Sequence, residues 1–177
     1  MNILHHGAVN GVTGSCYELV INSKTSVLID CGLFQGEDAK DDLSIEFDIA
    51  HITALIVTHC HIDHVGRIPY LLMAGFKGPI FTSVASASLL PLVIEDALKV
   101  GVTRDQKIID ACLRLLKQQI IEVDFKAWFE LPCKGEHSAR ARLQRAVHIL
   151  GSAYVEINIG TPPTKLIIII EWFFLVI

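Results

Sequence analysis

One short polar segment of this sequence carries side chains suited to binding a metal ion. It reads His59-Cys60-His61-Ile62-Asp63-His64. Neutral imidazoles suit zinc, and a carboxylate adds a hard oxygen ligand. Because residues two apart in an extended chain project to the same side, His59 and His61 can converge on one ion while Asp63 and His64 face a neighbouring position. The alternative is a hydrophilic turn whose histidines face water, but four such side chains rarely cluster by chance.

Strands in the first third of the chain would position this metal-binding segment. Tyr17–Ile21 and Ser26–Ile29 are β-favouring runs separated by the polar residues 22–24, and a hairpin is the simplest interpretation. The continuous apolar run Ala54–Thr58 is typical of a strand buried on both faces. Since the segment begins where this strand ends, we expect the sheet to hold it rigidly.

The rest of the chain predicts helices followed by further strands. Apolar residues at helical spacing predict three helices, over Arg67–Ala74, Ser86–Val100 and Arg104–Gln119. Strand patterns follow near Ile120–Phe129, in Arg140–Ala146 and in Gly151–Ile159. In the last of these, apolar and polar residues alternate, which indicates one buried face. The predicted fold class is therefore α/β, with helices packed on a sheet.

Composition and charge limit the classes of function. With 177 residues, 51% apolar and 19% charged, the chain fits one globular domain. Its net charge of -4 supplies no general attraction for nucleic acid, so any RNA contact must be local. Five scattered cysteines, none in a Cys-x-x-Cys pair, argue against a thiolate zinc site. Because we find no secretory signal, and the apolar run Leu166–Ile177 is shorter than the roughly 20 residues that span a bilayer, we expect a cytoplasmic protein without a membrane anchor.

The segment Thr58-His-Cys-His-Ile-Asp-His64 resembles the His-x-His-x-Asp-His motif of the metallo-β-lactamase superfamily. Three other segments, Gly11–Cys16, Leu28–Gly36 and His148–Ala153, are similar to motifs of its β-CASP branch, which contains RNA-processing nucleases. The match runs in order from about residue 3 to residue 160. The resemblance implies an αββα sandwich with the metals at one edge of its two sheets, of which this chain would contain the N-terminal part.

The resemblance assigns His59, His61 and His148 to a first zinc ion. Taken alone, a histidine ahead of an apolar strand is more often a core or surface residue. Zinc nevertheless needs a ligand such as His148, because two histidines leave a tetrahedral shell two ligands short. The histidines that stand in no motif are expected to be structural or surface residues: His5, His6, His51 and His137.

The resemblance assigns Asp63 and His64 to a second zinc ion and makes Asp63 the catalytic residue that orients the attacking hydroxide. Asp30 would support the ligand segment without touching metal; the alternative is a strand-ending carboxylate that accepts turn amides. The implied mechanism is metal-assisted hydrolysis, in which zinc lowers the pKa of water to near 7. The implied substrate is an RNA phosphodiester, whereas other branches hydrolyse thioesters, lactones or sulfate esters.

The resemblance does not extend to a complete second metal site. The family has a bridging aspartate in a Ser-Gly-Asp segment and one later histidine, but this chain has no aspartate after Asp124 and no histidine after His148. Glu171 could substitute, although a carboxylate in an apolar run is more often exposed at an edge. We therefore predict one well-bound zinc ion and an incomplete second site. The expected organisation is a partial metallo-β-lactamase domain over 1–165 and an aberrant apolar tail over 166–177, as in a truncated and inactive chain.

RNA is the partner that the resemblance implies, and an exposed apolar C-terminal strand predicts self-association. Arg140, Arg142 and Arg145 could contact phosphates, but alternating arginines are more often the solvated face of a strand. Two other functions stay open. One is a small-molecule ester, thioester or lactone metallo-hydrolase, and the other is a non-catalytic metal-binding fragment.

Overall fold

The computed structural model describes residues 2–9, 11, 13–39, 42–135, 138–160 and, for the backbone, 164–168. Its strands are β1 Asn2–His5, β2 Tyr17–Asn22, β3 Thr25–Ile29, β4 Ile52–Ile56, β5 Ile80–Ser83, β6 Ile120–Val123, β7 Phe129–Glu130, β8 Ala139–Arg145, β9 Ala153–Ile159 and β10 Thr164–Ile168. Its α-helices are α1 Ile62–Val65, α2 Ile68–Met73, α3 Val84–Gly101 and α4 Gln106–Gln119. None of the described helices is long and apolar enough to cross a bilayer.

The strands form two sheets. The first has the order β1-β2-β3-β4-β5-β6, antiparallel from β1 to β3 and parallel from β3 to β6. The second is antiparallel, with the order β10-β9-β8-β7. In a parallel sheet the carboxyl ends of the strands share one edge, where binding sites commonly lie. The metal-binding segment follows the carboxyl end of β4 at that edge.

Two apolar layers lie on the two faces of the first sheet. On one face, buried sheet residues pack against the helices: Leu28, Leu55 and Ile80 with Leu90, Ile94, Ile109 and Leu116. On the other face they pack against the second sheet: Ile29, Ile56 and Phe81 with Ala141, Leu143, Val155 and Ile157. The described residues therefore build layers in the order helix, sheet, sheet. The predicted burial of the β4 strand on both faces is confirmed.

Several local predictions are confirmed. Strands β2 and β3 form the expected antiparallel hairpin, and the four alternate apolar residues of β9 are buried. Helices α3 and α4 start within two residues of their predicted positions. The caps set these starts: the side chain of Ser83 accepts a hydrogen bond from the Ser86 amide, and that of Asp105 accepts one from the Lys107 amide.

Other local predictions are wrong. The region Ile120–Phe129 is not one strand: β6 and β7 belong to different sheets, and Lys126 between them has a left-handed φ of 70°. The metal-binding segment is not extended throughout, because its second half is the helical turn α1. By contrast, the predicted helix Arg67–Ala74 is confirmed, since α2 has Arg67 and Ala74 as its end caps.

The C-terminal region is described only in part. Strand β10 pairs with β9 and crosses the predicted boundary between residues 165 and 166. The rest of the predicted tail, residues 169–177, lies outside the described residues and includes Glu171. His137 also lies outside them.

The buried carboxylate of Glu18, in β2, contacts two connecting segments, one after β1 and one before β4. Glu18 lies within hydrogen-bond distance of two imidazoles, since its Oε2 is 2.7 Å from His6 Nε2 and its Oε1 is 2.7 Å from His51 Nε2. The ring of Phe47 stacks on His6 at 3.7 Å. Burial alone would raise the pKa of Glu18, but the hydrogen bonds with His6 and His51 and the nearby Ser26 hydroxyl together outweigh it and lower that pKa. His6 and His51 thus contact a buried acid, whereas His5 lies on the exposed strand β1.

We expect Glu18 to make stability depend on pH. Because its pKa is lower in the folded than in the unfolded protein, its contribution is present at neutral pH and is lost as pH falls through the folded pKa. Glu18→Gln should reduce the free energy of unfolding at pH 7 by about 1–3 kcal/mol, since buried partners lose a charged acceptor. Urea denaturation across pH 7 to 3 measures this difference.

The matched control is Glu37→Gln, which changes an exposed carboxylate. The gap between Glu18→Gln and wild type should narrow as pH falls below about 4.3, the ordinary pKa of a glutamate. A gap that stays constant down to pH 3 would contradict the role given to the Glu18 charge.

Candidate metal centre

Both sheets contribute to the candidate metal centre. The segment from Thr58 to His64 leaves the carboxyl end of β4, and His148 lies in the connection between β8 and β9. The amide of Ala153, the first residue of β9, donates a hydrogen bond of 3.0 Å to the carbonyl of Thr58. This bond joins the two sheets directly beneath the site. Residues that are far apart in sequence are therefore held at one edge.

Three imidazoles converge at this edge. The imidazoles are those of His59, His61 and His148, and their ligand atoms all lie within 4.8 Å of one another. Among the described residues, this is the one place where three or more histidine, cysteine or acidic side chains come close enough to share a metal ion. His61 Nδ1 is 3.2 Å from His59 Nε2 and 3.0 Å from His148 Nε2. The structure thus brings together the three residues assigned to the first zinc ion.

The spacing of these nitrogens fits a bound cation. Ligands about 2.0–2.1 Å from a tetrahedral zinc ion are about 3.3 Å apart, close to the two distances observed. His61 Nδ1 lies near two nitrogens at once, and one ring proton cannot serve two neutral acceptors. A cation would satisfy all three lone pairs together.

The electrostatics favour the neutral form of two of these imidazoles, His59 and His61. Burial, together with the nearby His64, His61 and His148, lowers the pKa of His59 to about 2. Burial and His148 also lower the pKa of His61. Only a neutral imidazole has a lone pair for a metal ion. His59 and His61 can therefore bind a cation at neutral pH without first losing protons.

Cys60 shows why a thiol between two ligands is not itself a ligand. Its side chain points to the opposite side of the chain from His59 and His61, where it donates to the Ser86 carbonyl at 3.4 Å. Burial raises the pKa of the Cys60 thiol to about 11. The predicted alternation of side chains is thus found in the extended half of the segment.

Asp30 lies behind the segment, fully buried and with a left-handed φ of 59°. Its Oδ1 accepts from the Thr58 amide at 2.8 Å, and its Oδ2 accepts from the Thr58 hydroxyl at 2.7 Å. His64 Nδ1 lies 2.8 Å from Oδ2. These partners belong to the metal-binding segment and not to a local turn, which favours support of the segment over the alternative of a strand-ending acceptor.

Asp63 and His64 form a pair beside the three imidazoles. His64 Nε2 is 3.8 Å from Asp63 Oδ2, and the His64 ring lies 4.0 Å from the His59 ring. If His64 Nδ1 donates to Asp30, Nε2 is the nitrogen that can bind a cation. The two side chains can thus face a position next to the first, with one nitrogen and one oxygen ligand.

Backbone contacts fix α1 and reveal residues that the sequence did not single out. The carbonyl of Asp63 accepts from the Ser15 amide, and that of His64 accepts from the Cys31 amide, each at 2.8 Å. A Cβ on Gly32 would overlap the backbone carbonyl of Asp63, so only glycine fits there. Buried Arg67 donates through Nε to the Gly32 carbonyl at 2.9 Å. The motif-like stretch Leu28–Gly36 was the available signal for Gly32.

The three arginines considered for phosphate contact lie on or at the end of β8. The guanidinium groups of Arg140 and Arg142 lie 4.7 and 4.6 Å from the centre of the Trp128 ring. Arg142 also forms an ion pair of 2.7 Å with the buried carboxylate of Glu156. Arg145 lies over the ring of Phe125.

Comparison with known proteins agrees with this geometry. The sequence profile described as the metallo-beta-lactamase superfamily matches residues 9–96, which include the whole metal-binding segment. The chain belongs to this superfamily. The fold expectation is confirmed as well, since the solved structure of a B3 metallo-β-lactamase aligns with a TM-score of 0.51 and 16% identity, over 89% of this chain and 56% of that one.

Two curated relatives support the β-CASP-like branch of the metallo-β-lactamase superfamily. Ribonuclease TTHA0252 of Thermus thermophilus is 44% identical over 101 residues, which cover 56% of this chain and 23% of that protein. Cleavage and polyadenylation specificity factor subunit 3-II of Arabidopsis thaliana is 30% identical over 166 residues, which cover 87% and 26%. The chain thus spans about a quarter of the length of these relatives.

The close approach of Gly32 to the Asp63 carbonyl leads to a prediction for the candidate metal centre. Gly32→Ala should push the α1 turn away, because the new methyl group meets backbone atoms that cannot rotate aside. We expect the free energy of unfolding to fall by about 1–3 kcal/mol or more, and zinc affinity to fall with it. Thermal unfolding and titration with zinc measure the two effects.

Gly101→Ala is the matched control, since a Cβ there meets no atom within 4 Å and the residue ends helix α3. Its stability should be unchanged or higher by less than about 1 kcal/mol. If Gly32→Ala and Gly101→Ala had the same stability and zinc affinity, the close approach of Gly32 to the Asp63 backbone would be refuted.

Proposed function

We propose that this chain forms the zinc-binding centre of a hydrolase that acts on RNA phosphodiester bonds. The observation that carries the proposal is the convergence of three imidazoles, in which His61 Nδ1 lies at about the spacing of tetrahedral zinc ligands from His59 Nε2 and from His148 Nε2. Membership of the metallo-β-lactamase superfamily supports a hydrolytic use of this site.

Zinc is favoured by the chemistry of the donors. All three are neutral nitrogens, which suit zinc better than magnesium or calcium, since these prefer oxygen ligands. A fourth position stays available for water or substrate, as in catalytic zinc sites. We therefore propose one tightly bound zinc ion.

A second ion would be held less well by this chain. Asp63 and His64 offer two ligands, and the sequence has no aspartate after Asp124. The described carboxylate that follows His148 is Glu156, which is buried and ion-paired with Arg142. We propose that the second position is occupied weakly or not at all.

Each residue then has a distinct task in hydrolysis. His59, His61 and His148 bind the ion, which when bound supplies Lewis acidity for attack on a phosphoryl group. Asp63 accepts a hydrogen bond from the attacking water and orients it. Asp30 keeps Thr58 and His64 in place from behind. Asp30 accepts hydrogen bonds from the Thr58 amide, the Thr58 hydroxyl and the His64 ring. A small displacement of Asp30 would therefore also displace the metal-binding segment.

RNA is the proposed substrate because of the relatives. Their names describe a ribonuclease and a subunit of a cleavage and polyadenylation factor. The net charge of -4 requires local positive charge for such a polyanion. The exposed residues Arg140 and Arg145 are one local source, whereas the charge of Arg142 is compensated by Glu156.

The metal proposal is tested by elemental analysis of the purified chain after dialysis. We expect close to one zinc ion per wild-type chain and a loss of most of it in His59→Ala, because two nitrogens remain. His5→Ala, which removes an exposed histidine on β1, should keep the wild-type content. No zinc in the wild type would overturn the ligand assignment, and two tightly held ions would overturn the proposal for the second position.

The substrate proposal is tested with zinc-loaded protein and three classes of compound. We expect cleavage of a single-stranded RNA oligonucleotide, at a low rate, and a loss of that cleavage in Asp63→Asn. Hydrolysis of a thioester or lactone without cleavage of RNA would instead indicate a small-molecule hydrolase. Zinc binding with neither reaction would indicate a non-catalytic metal-binding role.

A further inference from the structure

The turn that carries His148 is organised by one buried hydroxyl. Ser152 Oγ accepts hydrogen bonds of 3.3 Å from the amides of His148 and Ile149 and donates to the carbonyl of Ala146. The Ser152 amide donates to Ile149, and the Ala146 amide donates to Ser152. These bonds set the internal shape of the turn. They do not by themselves fix where the turn lies relative to His59 and His61.

The amino end of α3 fixes that position. Ser83 Oγ donates to the Gly151 carbonyl at 2.7 Å, and Ser86 Oγ donates to the same oxygen at 3.2 Å. Both serines are buried. Ser83 is the last residue of β5 in the first sheet and Ser86 lies in α3, whereas Gly151 precedes β9 in the second sheet. One carbonyl thus receives two hydroxyls from a different part of the fold.

Gly151 allows this contact to be close. Its φ of 85° lies in the left-handed region, and a Cβ there would lie 2.5–2.9 Å from Ser86 Oγ, the Ser86 amide nitrogen and Ser83 Oγ. A side chain at this position would separate the turn from α3. The sequence therefore has its smallest residue where the turn and the helix meet.

Apolar packing restrains this turn little. Val147 and Leu150, on either side of His148, are 87% and 71% exposed. His148 is itself exposed, whereas His59 is buried. The place of the His148 imidazole therefore depends on its backbone and so on the hydrogen bonds that hold the backbone. Metal sites require their ligands to be placed within about 0.5 Å.

We propose that Ser83, Ser86 and Gly151 form a serine clamp that positions His148 and thereby sets the zinc affinity of the site. The clamp rests on the proposed function, since it acts through a ligand of the proposed ion. Its serines are positioning residues that reach the ion only through the turn. Loss of a partner that orients a metal ligand typically weakens metal binding about 10–100-fold.

Zinc titration of the full chain against a competing chelator tests the clamp. Ser83→Ala should raise the zinc Kd by about 10–100-fold, and Ser83→Thr, which keeps a hydroxyl, should restore it. Ser86→Ala should raise the Kd by less, because its bond to Gly151 is longer. Ser86→Ala also keeps the backbone amide of residue 86, which donates to Ser83 Oγ, so the cap of α3 remains.

Two controls separate the clamp from general stability. Ser83 is the N-cap of α3, so Asp105→Ala, which removes the N-cap of α4, tests cap loss alone. Ser88→Ala removes an exposed hydroxyl of α3 that bonds within its own helix. Both controls should keep the wild-type zinc Kd. The absorption spectrum of bound cobalt, which reports ligand geometry, should change in Ser83→Ala and not in either control.

The outcomes distinguish the clamp from the proposed function. Wild-type zinc affinity in Ser83→Ala and Ser86→Ala would overturn the clamp alone. An equal loss in Asp105→Ala would also overturn it, because the effect would then be one of stability. If Ser83→Ala does not fold, Ser86→Ala decides, since wild-type zinc affinity in that variant would overturn the clamp. A wild-type chain that binds no zinc would overturn the proposed function and the clamp together.

Discussion

The buried carboxylate of Asp30 is the interaction on which the site depends. Asp30 directly follows β3 and accepts hydrogen bonds from Thr58, just before the metal-binding segment, and from His64 at its helical end. A buried carboxylate must find donors, because its burial without them is very costly. In this fold the donors come from the segment that would bind the metal. The hydrogen bonds that satisfy the Asp30 carboxylate therefore also align the end of β3 with the metal-binding segment.

The first sheet alone does not complete the centre. It supplies His59 and His61, while His148 comes from the connection before β9 in the second sheet. Two apolar layers hold the sheets and helices together, and a hydrogen bond from Ala153 to Thr58 fixes their relative position at the site. The distances among the His59, His61 and His148 nitrogens therefore depend on how the two sheets and the helices pack together. The contact of Ser83 with Gly151 likewise joins the first sheet to the turn that contains His148.

The parts predicted correctly from the sequence are those determined by local pattern. The β2–β3 hairpin, the alternation in β9 and the composition of His59–His64 can all be recognised within a few residues. Strand β5 was missed because its four residues are all buried and show no alternation. The α1 turn was missed because its support comes from the amides of Ser15 and Cys31, elsewhere in the chain. Contacts of this kind depend on tertiary structure and leave no local pattern; for Gly32 the available signal was the motif-like stretch Leu28–Gly36.

The distance along the chain between two of the imidazoles has a consequence for folding. His61 and His148 are 87 residues apart in sequence, yet their nitrogens are 3.0 Å apart. An ion held by both would close a long loop, and closing such a loop restricts the unfolded chain. The ion would also bind the native state in preference to the unfolded one, so the free energy of unfolding would rise with free metal concentration. The ion would therefore act as a crosslink between the two sheets, in addition to the apolar layer that they share.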